Sequence, residues 1–106
     1  MDVCQIAIAC GTEEEAVAVA EALLQPHLAA CVQIVGPVTS RYWWQGALES
    51  ATEWVCLAKS RTELVERVVA AVRDVHSYEV PEIVATPIVG GDAIYLAWVE
   101  GETSAP

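Results

Sequence analysis

The segment His76-Ser77-Tyr78-Glu79-Val80-Pro81-Glu82-Ile83 gathers an imidazole, a phenol and two carboxylates around a proline, directly after a helical pattern. Polar groups that dense beside apolar sequence mark a site, and their chemistry suits the lining of a ligand cleft. Tyr78 and Glu79 are the cleft candidates within this segment, and Arg41 and Lys59 add basic groups to them. A second stretch, Ser40-Arg41-Tyr42-Trp43-Trp44-Gln45-Gly46, sets three aromatic residues side by side before a turn. Consecutive side chains on a strand point to opposite faces, so the three cannot all enter one core. Tyr42, Trp43 and Trp44 are therefore read as contacts to a partner surface, the alternative being that they pack only within their own chain.

These residues must be positioned by a small framework. At 106 residues the chain fits one domain over 1–106, which can bury a core with little stability to spare. Hydrophobic residues make up 55% and mean hydropathy is +0.40, yet charged residues interrupt every apolar run well short of the ~18 residues a membrane span needs. The apolar excess is better explained by self-association. Formal net charge is −10, which repels phosphate backbones and makes nucleic acid an unexpected partner. Acidity raises the local cation concentration, as it does on any acidic protein. Cys4, Cys10, Cys31 and Cys56 lie in apolar segments without a paired spacing, which fits buried, reduced thiols. With an acidic N-terminus that does not read as a secretory signal, the expected location is the cytoplasm.

Along the chain, Val3 to Cys10 reads as an apolar strand. Thr12-Glu13-Glu14-Glu15 reads as a capping box, in which Thr12 accepts the Glu15 amide and the Glu15 carboxylate returns to the Thr12 amide. A helix then runs through Leu24 to a stop at Pro26. A second strand starts near Ala29, is bent or bulged at Gly36-Pro37, and resumes from Val38 to Gln45. Gly46 and the polar residues near Glu49 and Ser50 are expected to close a hairpin, returning as a strand from Glu53 to Lys59. Ser60-Arg61-Thr62-Glu63 reads as a second capping box, before an amphipathic helix with a stripe from Leu64 to Val75. Ile83 to Val89 forms a fourth strand, which Pro87 assigns to an edge or a bulge. Tyr95, Leu96, Trp98 and Val99 recur at helical spacing, and residues 101–106 are expected to fray. The order β-α-β-β-α-β with a short C-terminal helix is an α+β, ferredoxin-like arrangement.

The sequence resembles the CutA divalent-cation-tolerance family of PII-like trimers over nearly its full length. The resemblance is carried by Leu28-Ala29-Ala30-Cys31-Val32, the Ser40-x-Tyr42-x-Trp44-x-Gly46 ribbon, Lys59, His76-x-Tyr78-x-x-Pro81-Glu82-Ile83, and Tyr95-Leu96-x-Trp98. It implies a homotrimer in which the hairpin from Ile34 to Leu57 reaches neighbouring subunits, with the aromatic residues as anchors. It also implies binding of divalent cations, copper above all, with Cys10, His76 and Glu82 as the matching ligands. A thiolate and an imidazole suit copper or zinc, and a carboxylate can complete the set. The competing reading makes Cys10 a small buried hydrophobe and His76 a helix C-terminal residue.

Enzymatic readings find little support. Acylphosphatase chemistry on this fold uses an asparagine, and the sequence contains none. A thiol enzyme needs a base beside a cysteine, and neither His27 nor His76 lies in a recognisable nucleophile motif. The expected function is a non-enzymatic, copper-binding trimer in cation tolerance. The alternatives are a PII-like signalling module with a small ligand in the clefts between subunits, and a trimeric scaffold without a tight ligand.

Overall fold

The structure, a computed structural model, describes residues 2–103. Its elements are β1 (Val3–Cys10), α1 (Glu13–Leu24), β2 (Cys31–Trp44), β3 (Ala47–Arg61), a 3-10 turn (Thr62–Leu64), α2 (Val65–Val75), β4 (Ile83–Pro87) and α3 (Ala93–Glu102). The four strands form one antiparallel sheet in the order β2-β3-β1-β4. This is the expected α+β, ferredoxin-like arrangement with its C-terminal helix. Pro87 closes β4 on the sheet edge, where its missing N–H costs no ladder bond.

Alternation along β1 and β3 builds the core. Cys4, Ile6, Ile8 and Cys10 on β1, with Cys56 and Ala58 on β3, share one face of the sheet. Against them pack Ala16, Val19 and Leu23 of α1 and Val68 and Val72 of α2. Both long helices therefore cover one face, as the sequence pattern implies.

The hairpin differs from expectation. Trp44 pairs with Ala47 across a two-residue turn at Gln45 and Gly46, both with positive φ (49° and 83°). Such a primed turn matches the strand twist and needs only those two residues, and Gly46 takes the second place without strain. Glu49 and Ser50 instead pair with Tyr42 and Arg41, so their polarity reflects exposure beyond the core rather than a turn. The register shifts between Val35 and Val38, which is the bulge expected at Gly36-Pro37.

Two caps differ as well. Ser60 does not cap a helix: β3 continues through Arg61, and the Ser60 hydroxyl donates to the Leu28 carbonyl at 2.6 Å. Helix α2 starts after the 3-10 turn without a side-chain cap. At the C-terminus, Gly101 and Glu102 belong to α3, and Thr103 is buried with its carbonyl accepting from Arg61. The tail expected from Gly101 thus begins as helix, and residues 104–106 lie outside the described residues.

Candidate functional site

The end of β1, the start of α1 and the end of α2 converge on three side chains. A ligand atom each from Cys10, Glu15 and His76 lies within 4.8 Å of the others. Cys10 occupies the last position of β1 on the core face and is wholly buried. His76 is the residue at which α2 stops, and its side chain has no exposed surface.

Backbone groups set the protonation of that imidazole. Nε2 lies 2.7 Å from the Ala9 carbonyl, which can only accept, and Nδ1 receives the Tyr78 amide at 3.0 Å, which can only donate. These partners select the tautomer with the proton on Nε2 and the lone pair on Nδ1. Glu15 Oε1 lies 3.7 Å from Nδ1, so Nδ1 is the ring nitrogen on the cluster side.

Glu15 keeps only half of its expected capping box. Thr12 Oγ1 accepts the Glu15 amide at 3.0 Å, but the carboxylate turns to the amides of Ser77 at 2.9 Å and Gly11 at 3.4 Å. Burial pulls its pKa up, and the donors on Ser77 and Gly11, together with the nearby His76 ring, outweigh that and hold it below the ordinary value. The Cys10 thiol moves the other way: its hydrogen bond with Cys56, then burial, push it well above the usual thiol range.

Beside the cluster is a cavity of about 870 Å³ between the hairpin and the 77–82 connection. Arg41, Tyr78, Glu79 and Glu82 line it together with Tyr42, Trp43 and Trp44. Three of the four cleft candidates are thus gathered. Lys59 is apart from them and donates to Gln33 Oε1 at 3.3 Å.

Tyr78 joins the two regions. Its hydroxyl donates to Glu53 Oε2 at 2.9 Å, and its ring is tilted by 60° against the His76 ring with centroids 4.9 Å apart. Glu53 is 6% exposed and Tyr78 shields one of its oxygens. Burial and then the Glu53 carboxylate push the Tyr78 phenol up to about 12. Gly11 makes the reach possible, because a Cβ there would lie 2.8 Å from the phenol oxygen.

Of the expected ligands, Cys10 and His76 meet and Glu82 does not join them. Ile83 packs against the helix-covered core, so Glu82, one residue earlier, turns to the other side of the sheet and lines the cavity. Its backbone carbonyl accepts the Ala9 amide at 3.3 Å. Glu15 is the carboxylate that pattern reading missed. The signal available was its place as the third residue of a helix that starts at Glu13, three positions after Cys10. His76 stands beside Cys10, as expected of a shared ligand set, although neither lies in a nucleophile motif. With both ring nitrogens committed to backbone groups and the thiol held protonated, the pair is not set up as a nucleophile and base.

The CutA1 divalent ion tolerance protein family matches residues 4–102. Protein CutA of Mus musculus is 37% identical over 98 residues, which are 92% of this chain and 55% of that protein. The chain thus spans little more than half the length of such relatives. The divalent-cation tolerance protein CutA of Thermus thermophilus is 41% identical over 98 residues, 92% of this chain and 95% of its own length. The solved structure of the divalent cation tolerance protein from Thermus thermophilus superposes with a TM-score of 0.94 at 39% identity, covering 96% of this chain and 99% of that one.

Proposed function

The chain belongs to the CutA1 divalent ion tolerance family, and from that premise we propose that it binds divalent cations, copper foremost, as a non-enzymatic component of cation tolerance. The observation that supports this is the convergence of Cys10, Glu15 and His76 within 4.8 Å. A sulfur, an imidazole nitrogen and a carboxylate oxygen together fit copper or zinc better than a hard cation such as magnesium, which favours oxygen alone. Among these donors, Nδ1 of His76 is the nitrogen on the cluster side, and a cation there takes the place of the Tyr78 amide. Glu82, the carboxylate implied by resemblance, faces the cavity and serves in this reading as an outer group. Four free thiols support a reducing compartment, which we take to be the cytoplasm.

The assembly we propose is a homotrimer. It is supported by the hairpin, whose Tyr42, Trp43 and Trp44 remain 41%, 74% and 41% exposed in the single chain. In a trimer the cavity beside them lies at a subunit boundary. That cavity is also what favours the second reading, a PII-like module taking a small ligand between subunits.

The test is native mass spectrometry of the reduced protein titrated with copper, zinc and magnesium, on the wild type and on Glu15→Gln, His76→Gln and Glu82→Gln. We expect one copper per chain, at least tenfold weaker binding in the first two variants, and little change in the third. Weakening by Glu82→Gln alone would transfer the site to Cys10, His76 and Glu82. A wild type that stays copper-free at micromolar copper would sink the metal reading.

A further inference from the structure

Tyr78 stands between the cavity and the buried cluster, and it touches both. On the cavity side its hydroxyl donates to Glu53 Oε2 at 2.9 Å, and both residues line the cavity. On the cluster side its ring lies against His76 and its amide donates to Nδ1 at 3.0 Å. The phenol oxygen passes directly over Gly11, the residue after Cys10, so closely that a Cβ there would meet it at 2.8 Å. Cys10 and the His76 side chain have no exposed surface behind it.

The segment that carries Tyr78 is tied to β1 by a backbone bond only at its far end, where the Glu82 carbonyl accepts the Ala9 amide. It runs between the end of α2 at Val75 and the start of β4 at Ile83, without regular structure. Its Tyr78 and Ser77 amides bond to side chains, His76 and Glu15, rather than to a neighbouring strand. Segments held in this way open locally at a lower free energy than the core beneath them.

We propose that Tyr78 is a gate, latched by Glu53, through which a small cation passes from the cavity to the Cys10–Glu15–His76 cluster. One outward movement of Tyr78 breaks the latch, uncovers Gly11 and removes the amide from Nδ1, so the path and the imidazole lone pair become available together. Tyr78 is then a positioning residue acting through His76 rather than a ligand. The proposal rests on the cation reading given above. It adds that entry is set by the fraction of molecules in which the latch is open, which lowers the apparent affinity by that fraction.

The test combines a metal-independent readout with a metal-dependent one on the wild type, Tyr78→Phe and Glu53→Gln. Amide hydrogen exchange at residue 78, measured without metal, reports opening, and stopped-flow uptake of copper reports entry. Tyr78→Phe keeps the ring and the backbone amide and loses only the latch. Exchange and copper association are both expected to rise about tenfold, the factor that goes with losing a hydrogen bond to a charged group. Copper dissociation stays at the wild-type rate. Glu53→Gln weakens the latch from the other side and should raise both rates by a smaller factor. Unchanged exchange in both variants would overturn the gate and leave the cation reading intact, provided His76→Gln still weakens copper binding. Faster exchange with copper association at the wild-type rate would also overturn it, and would place entry on the Glu15 side. A wild type that takes up no copper would overturn the cation reading and the gate with it.

Discussion

The Nε2 of His76 meets the carbonyl of Ala9 at 2.7 Å, joining the residue that ends α2 to the penultimate residue of β1 across 67 positions of sequence. That bond decides the tautomer, and it orients the opposite nitrogen toward Glu15. Whatever binds at the cluster meets a ring that the backbone has already aligned.

Nitrogen NMR of the reduced protein at neutral pH should therefore show His76 as the Nε2-protonated tautomer, with a slowly exchanging proton. His76→Ala leaves the Ala9 carbonyl and the Tyr78 amide without these partners and opens a void under α2. We expect it to lower unfolding stability by about 2–4 kcal/mol. Urea denaturation measures this, and a loss under about 0.5 kcal/mol, the size of an ordinary surface substitution, would show that the ring contributes no more than such a side chain.

The Tyr78 phenol gives an alkaline signature. Its folded pKa, raised to about 12 by burial and by Glu53, lies above the ordinary phenol value of 10.0. The folded state thus holds its proton longer than the unfolded chain, so the contribution to stability is complete below about 10 and is lost as pH rises through 12. Between those limits, the stability advantage of the wild type over Tyr78→Phe should shrink steadily in urea titrations. A difference that is constant across this window would contradict the raised value.

Glu15 has the opposite sign. Its folded pKa lies below 4.5, so its stabilisation is present above that value and is lost as pH falls through the lower folded one. Glu15→Gln should be less stable than wild type at pH 7 by about 1 kcal/mol, since a neutral amide oxygen accepts the Ser77 and Gly11 amides less strongly. The gap should close in acid. A gap that persists unchanged at pH 2 would mean that packing rather than charge separates the two proteins.

Local periodicity made most of the fold legible, because each strand and helix repeats its own apolar spacing and Gly36-Pro37, Gly46 and Pro87 punctuate them. What it missed was set by partners distant in sequence. Ser60 has the spacing of a helix cap, but the Leu28 carbonyl, 32 residues away, takes its hydroxyl. Glu15 has the spacing of a capping box, but its carboxylate answers to Ser77, 62 residues away, and so enters the site. Glu82 shares the site segment with His76, yet the inward packing of Ile83 turns it away from Cys10. Residue types identified the neighbourhood, while the packing of α1 beside the end of α2 decided that Glu15, and not a carboxylate of the 76–83 segment, reached the thiol.

The hairpin supplies the prediction for assembly. Beyond the bulge at Val35/Val38 its residues up to Ser50 are exposed or half-buried, and Trp44 pairs with Ala47 at the tip while remaining 41% exposed. A tryptophan placed there has too few neighbours in its own chain to be there for packing the core. If it anchors a neighbouring subunit, Trp44→Ala removes a large buried aromatic surface from each contact, a loss of about 2 kcal/mol or more at an interface hot spot. Sedimentation velocity across a dilution series should then show a wild-type trimer at concentrations where the variant dissociates. The unfolding of the monomeric variant should otherwise stay cooperative, because the core residues on β1, β3, α1 and α2 do not include Trp44. A variant that dissociates only at the same dilution as the wild type would show that another surface holds the subunits together.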